Sequence, residues 1–214
     1  MTAEQLTARD RILNAAEELF ALRGYHGVTL REITRLAGVD LALVNYYFGP
    51  KQALFHEVLN RRAAEHAGAI ERAIDAAIAA ASPRPPSVEA VIRALAAPVI
   101  ERLARGGAGW RNYIHLLSDL TNSQQQDFMA PMHAHFDPVM RRCFALLQQT
   151  LPACPEESLY RSFHLVLGAL THVYAETGGI DRLSDGKSRA DDFDALLDHL
   201  VPFLAAGFYR MAAA

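Results

Sequence analysis

Residues 12–55 read ILNAAEELFALRGYHGVTLREITRLAGVDLALVNYYFGPKQALF, and the fold is decided inside this stretch. Ile12, Ala15, Ala16, Leu19, Phe20 and Leu22 recur at steps of three and four. That spacing writes one apolar stripe along a helix from about Thr7 to Arg23. Thr7 is placed to cap its start and Gly24 its end. After a short loop, Tyr25 to Val28, Thr29 opens a second helix with Glu32 three residues on, the spacing of a capping box. Leu30, Ile33, Leu36 and Ala37 form its expected buried face. Gly38 closes that helix, Val39 is an apolar plug, and Asp40 caps a third, short helix reaching about Phe48. A helix, a glycine-containing turn and a short helix at this spacing are the plan of a helix-turn-helix.

The third helix carries the chemistry. Val39, Val44 and Phe48 are expected to face inward, leaving Leu41, Ala42, Leu43, Asn45, Tyr46 and Tyr47 toward a partner. One exposed face of this size fits the major groove of double-stranded DNA, where Leu41 and Leu43 suit thymine methyl groups better than hydrogen-bonded readout.

Five short patterns then act together: A-x-x-L-F at residues 16–20, G-Y-x-x-x-T at 24–29, I-x-x-x-A-G-V at 33–39, Y-x-F at 46–48 and G-x-K-x-x-L-F at 49–55. Jointly they resemble the DNA-binding head of the TetR family of repressors. The resemblance implies that Asn45 and Tyr46 meet bases or the adjacent backbone and that Tyr47 hydrogen-bonds a phosphate. It implies the same for Lys51, at a helix start whose free N–H groups also favour an anion. Thr29 would bond a phosphate while capping, and Arg31 would reach guanine O6 and N7. In the family, tyrosine and histidine are common where this chain has Asn45 and Tyr46, so the N-Y-x-F form resembles one sub-branch. That form, with V-P-F-L-A-A-G at Val201 to Gly207, resembles members that respond to fatty acids or acyl-thioesters.

Charge places a constraint on any DNA contact. The chain of 214 residues carries a net charge of −3. Its first 51 residues hold six bases (Arg9, Arg11, Arg23, Arg31, Arg35, Lys51) against six acids (Glu4, Asp10, Glu17, Glu18, Glu32, Asp40). Binding must come from where the bases sit and not from a large positive field. Met1 to Asp10 is polar, and no run nears the roughly 20 apolar residues of a membrane span. The expected setting is the cytoplasm, with no membrane partner. Cys143 and Cys154 are read as ordinary reduced thiols, too few for a disulfide framework or a zinc site.

Beyond Lys51 the chain reads as helix after helix. A fourth helix spans about Lys51 to Ala81, ended by Pro83, Pro85 and Pro86, and a fifth runs from a Ser87 cap to about Arg105. A sixth spans about Trp110 to Leu120, and a seventh Gln124 to Leu151, interrupted near Pro131 and Pro138. The eighth spans Glu156 to Glu176; a loop from Asp181 to Ala190 leads to the ninth, Asp191 to about Met211. The expected architecture is all-α, about nine helices, with a head over residues 1–50 and an effector-binding and dimerisation domain over residues 51–214.

The last two helices are broadly apolar, with Leu159, Phe163, Val166, Leu167, Leu170, Val173 and Tyr174 on one and Phe193 to Phe208 on the other. By resemblance they would form a four-helix homodimer interface, with Gly168 and Ala169 allowing close approach. The competing reading has both fill the core of one chain. For a small hydrophobic or amphipathic effector the expected lining is Leu103, Trp110, Tyr113, Ile114, Leu117, Phe128, Met132, Phe136, Met140, Phe144, His164 and Leu167. Arg102, Arg111 and His135 are placed to pair with an anionic head group, or to serve as surface charges.

Neither His133 with His135 nor His164 with His172 has the i, i+4 spacing of a helical chelate, so no metal and no cofactor is expected. No nucleophile, base and orienter stand at a recognisable spacing, and no phosphate-binding glycine loop is present, which argues against an enzyme. The leading expectation is a ligand-responsive repressor that binds palindromic operator DNA as a dimer. The alternatives are an all-helical small-molecule-binding protein or enzyme without DNA binding, and a scaffold that binds only proteins.

Overall fold

A computed structural model describes residues 7–122 and 128–213, folded as ten helices with no strand among the described residues. Three short helices make the head: α1 (Ala8–Arg23), α2 (Leu30–Ala37) and α3 (Leu41–Tyr47). The caps are those the sequence predicts. Thr7 accepts from the Asp10 N–H at 3.1 Å, Thr29 and Glu32 form a reciprocal capping box, and Asp40 accepts from the Ala42 N–H at 2.8 Å. Gly38 ends α2 at φ +64°, a left-handed conformation that costs glycine nothing and forces the sharp turn into α3.

Ile12, Ala16, Phe20, Ile33 and Val44 are wholly buried between these helices and the first turns of α4 (Lys51–Ala81), where Leu54 and Phe55 complete the head core. Two expected core residues fall outside it. Leu22 is 77% exposed, because at about 100° per residue it points away from the face of α1 that Ile12, Ala16 and Phe20 bury. Leu36 is 49% exposed; the inner place on α2 goes to Thr34, whose hydroxyl bonds the Arg31 carbonyl at 2.9 Å and so travels inward without an unpaired donor.

The body is an antiparallel stack around the distal part of α4: α5 (Val88–Arg105), α6 (Gly107–Asn122), α7 (Ala130–Thr150), α8 (Glu156–Tyr174), the short α9 (Gly179–Leu183) and α10 (Phe193–Ala212). α4 packs against α5 and α7, α10 against α5 and α8, and α6 against α1. α9 is an addition to the expected nine, overlapping the start of the stretch read as a loop, and the Asp181 carboxylate holds that stretch by accepting from the Ala190 N–H at 3.0 Å.

The expected start of helix seven at Gln124 lies outside the described residues. Of its expected interruptions, the one near Pro138 does not occur. Pro131 sits in the first turn of α7, where its missing N–H has no acceptor to lose, and α7 runs on through Pro138 with Val139 and Cys143 packed in the core. α5 and α10 likewise continue through Pro98 and Pro202.

Candidate nucleic-acid interface and effector cavity

α3 leaves the head surface with Ala42, Asn45, Tyr46 and Tyr47 exposed, while Leu41 and Leu43 are half-buried at its flanks and Val44 and Phe48 anchor it from beneath. Tyr46 is 80% exposed and its ring meets that of Tyr47 edge to face at 5.3 Å, so the two stand as one aromatic ridge. Asymmetry of burial is what allows this: Val44 carries the packing and the other face owes the core nothing.

Lys51 opens α4, after Gly49 at φ +73° and Pro50. Its ammonium lies 4.3 Å over the Tyr25 ring, and partial burial lowers its pKa against the opposing pull of Glu32. At neutral pH it remains a cation poised next to free N–H groups at a helix start. Thr29 is exposed with its hydroxyl 2.7 Å from Glu32, and Arg23 holds the other Glu32 oxygen at 2.8 Å. Those bonds, Arg23 first and Thr29 next, bring the Glu32 carboxyl down to about 2. Arg31 and Arg35 project from the same helix, exposed and without an ion pair among the described residues.

The body holds a cavity of about 320 Å³, partly open to the surface, between α4, α5, α6, α7 and α8. Of the residues read from the sequence as pocket lining, Ile114, Leu117, Met132, Phe136, Met140 and Leu167 border it. The others do not. Leu103 and Tyr113 are sealed in the core at 2% and 0% exposure. Trp110 looks the opposite way, between the guanidinium groups of Arg62 at 5.0 Å and Arg102 at 4.3 Å, onto a second, open hollow that Arg72 and Arg105 also line. Phe144 is buried against the Tyr160 ring at 3.8 Å. His164 is exposed on the outer side of α8.

Phe128 has moved furthest from expectation. It packs on Tyr25 at 4.5 Å, Phe55 at 5.2 Å and His56 at 6.3 Å, at the border of head and body. The anion-pairing candidates are also engaged elsewhere: Arg102 with the Pro98 carbonyl and Glu65, and Arg111 with Glu176 and the Leu103 carbonyl. His135 is half-buried and lies outside the cavity lining.

Sequence reading missed His66, Ile70, Leu95, Val99, Ser118 and Tyr174, all of which border the cavity. His66 had a signal, a lone imidazole on the apolar face that Ala63, Ala67 and Ile70 define along α4. Its ring is 3% exposed, and burial, reinforced by the nearby Arg102 charge, drives its pKa down to about 3. Burial keeps the Tyr174 phenol protonated by raising its pKa. The Cys143 thiol, pushed up to about 12 by burial, is inert packing. No group of three His, Cys, Asp or Glu close enough to hold a metal occurs among the described residues, and none of their helices is long and apolar enough to cross a membrane.

Comparison with known proteins agrees with this geometry at both ends of the chain. Residues 12–58 match the family model described as bacterial regulatory proteins, tetR family, and residues 93–207 match the one described as tetracyclin repressor-like, C-terminal domain. The regulator QacR of Staphylococcus aureus is 38% identical over 55 residues, 26% of this chain and 29% of QacR. The regulator RutR of Escherichia coli is 44% identical over 50 residues, 23% of this chain and 24% of RutR. The match thus spans about a quarter of the length of these curated relatives.

Among solved structures, the fatty acid degradation regulator FadR of Bacillus halodurans superposes with a TM-score of 0.64 at 17% identity, covering 96% of this chain and 98% of that one. FadR of Bacillus subtilis in complex with stearoyl-CoA gives 0.63 at 15%, covering 92% and 97%. These likenesses extend the shared fold over the whole length. With more than half of its residues inside the C-terminal match and the helix-turn-helix inside the other, the chain belongs to the TetR family of bacterial regulatory proteins.

Proposed function

We propose that the protein is a ligand-released repressor that binds palindromic operator DNA as a homodimer in the cytoplasm. The observation that carries this reading is the α3 ridge of Asn45, Tyr46 and Tyr47, exposed to solvent, with Lys51 following at the start of α4. Asn45, Tyr46 and the flanking Leu41, Ala42 and Leu43 would read base edges. Tyr47, Lys51 and Thr29 would hold phosphates, with Arg31 reaching a guanine. The bases are few, so binding depends on placement and its salt dependence is modest.

Two observations support a homodimer through α8 and α10. Leu165 and Phe203 are large apolar side chains, 71% and 79% exposed. On the same two helices, a Cβ added at Gly168 or Gly207 would meet nothing within 4 Å, which leaves room for another helix. The cavity would take the effector. A path to the head runs from Met129 and Met132 on its wall through the adjoining Phe128 to Tyr25, on which Lys51 rests. An effector that shifts α7 favours the conformer in which the heads no longer suit DNA, and it releases DNA only by as much as it prefers that conformer.

The test is selection of bound duplexes from a random pool by the purified protein. Enrichment of a palindrome with half-sites about one helical turn apart, lost in a Tyr47→Ala, Lys51→Ala double variant, is the expected result. Recovery of no preferred duplex by the intact protein overturns the proposal.

A further inference from the structure

The cavity wall combines two features that bear on what can enter. Among the described residues bordering it there is no Lys, Arg, Asp or Glu. Yet His66 has both ring nitrogens buried with no hydrogen-bond partner, and the Tyr174 hydroxyl, on a side chain 8% exposed, has none either. Buried polar atoms are nearly always paired, and two unpaired groups bordering one cavity mark a place where a ligand atom completes them.

On the reading of this cavity as the effector site, we infer that its ligand is an uncharged, mostly apolar molecule bearing one hydrogen-bonding group that His66 and Tyr174 engage, and that ionised fatty acids and acyl-thioester carriers are excluded.

The protonation states agree with the geometry. His66 stays a neutral imidazole, one nitrogen donating and the other accepting, and Tyr174 donates. A hydroxyl, carbonyl or amide satisfies both; a carboxylate meets no cation. The titratable groups around the site are His66 from α4, Tyr174 from α8 and His133 from α7, which is exposed. Arg102 of α5, close enough to lower the His66 pKa, faces the other hollow, where Nη1 donates to the Pro98 carbonyl and Nη2 to Glu65, while its buried Nε has no partner and lies outside the cavity lining. The volume of about 320 Å³ is at the lower end of the roughly 300–1,000 Å³ of small-molecule sites, which suits a compact chain or ring system and not a coenzyme.

The experiment titrates the full chain, without DNA, with decane, 1-decanol, decanoate and decanoyl-coenzyme A, following Trp110 fluorescence and calorimetry. At pH 7 an ordinary carboxylic acid is neutral in roughly one molecule in several hundred, so decanoate should bind at least tenfold more weakly than decanol. Its apparent affinity should climb about tenfold from pH 7 to pH 6 while that of decanol stays level. Decanoyl-coenzyme A should bind no better than decanoate. Tyr174→Phe and His66→Leu should each weaken decanol about fivefold while decane still binds, the decane arm showing that the variant cavity is still formed.

Decanoate or decanoyl-coenzyme A binding within tenfold of decanol, absence of decanol binding, or variants that bind decanol as before would each overturn the inference. Because affinity is read without DNA, a charge-tolerant cavity fails here while DNA binding stands. A protein that binds no DNA would still return these affinities.

Discussion

Arg62 donates from Nε and Nη2 to the two carboxylate oxygens of Glu17, at 3.0 and 3.2 Å, across the border between head and body. Glu17 is 3% exposed, Arg62 is stacked on Trp110, and Gly109 of α6 comes so close that a Cβ there would strike both groups. α1, α4 and α6 are thus clamped by one ion pair. Arg62→Ala strands a buried carboxylate and should destabilise the fold by about 3–5 kcal/mol. Replacing both partners with apolar residues of similar volume should cost far less, a contrast that urea midpoints for the single and double variants will read.

On DNA, Tyr47→Ala and Lys51→Ala should each weaken binding on every duplex, and Lys51→Ala, which removes a cation, should also lower the slope of log affinity against log salt by about 1. Arg31→Ala should instead relax preference at one base position, worth about 1–3 kcal/mol. Fluorescence anisotropy across a salt series separates the two kinds of change. Equal losses on all sequences for all three variants would remove Arg31 from base readout.

Phe203→Asp places a charge where an apolar partner surface is proposed. Sedimentation velocity should show the variant as monomer at concentrations where the parent is dimer, with an unchanged circular dichroism spectrum and operator affinity down by two orders of magnitude or more. A dimer that persists in Phe203→Asp and in Leu165→Asp would place the interface on another face.

The buried imidazole makes stability depend on pH. Folding lowers the His66 pKa from the ordinary 6.5 to about 3, so between those values the unfolded chain binds the proton and the folded one does not. Stability therefore falls as pH falls from about 6.5 toward 3 and is unaffected by this group above that window. From pH 7 to pH 5 the loss from His66 alone is about 2 kcal/mol, and His66→Leu should flatten the acid limb by that amount in denaturant titrations. An unchanged pH profile in the variant would show that His66 is charged or solvated in the folded state.

Phe128→Ala tests transmission apart from binding. It empties the space against Tyr25 and Phe55 while leaving the cavity lining in place. Effector affinity should change little, and the effector's weakening of DNA binding, about 5- to 150-fold for an allosteric pair, should shrink toward none. Retained release with the same fold-change would show that the signal travels another way.

The head was legible in the sequence because its information is local. A cap, a positive-φ glycine and the i, i+3, i+4 rhythm between Thr7 and Phe48 specify each other within a few residues. Leu22 and Leu36 escaped because steps of three and four admit a stripe wider than the face that packs, and both lie beyond its edge. The cavity was half legible for the same reason.

Tyr113 and Ile114 are neighbours on α6, both buried, and only tertiary packing puts a void beside one and solid core beside the other. His164 precedes Leu167 by less than a turn on α8 but points to the outer surface. Phe128 precedes α7 and serves the head, a long-range contact that helical periodicity cannot carry.

α4 belongs to both halves of the molecule, from Lys51 just after α3 to Ile70 on the cavity wall and on to Ala81. An unbroken helix of 31 residues is about 46 Å long, and a tilt of about 5° around its far end carries its tip through roughly 4 Å. That displacement exceeds the rise of one base pair, roughly 3.4 Å. A stiff beam of this kind turns a small rearrangement of methyl groups in the protein interior into a register error at the nucleic acid, and it gains this amplification from its length alone.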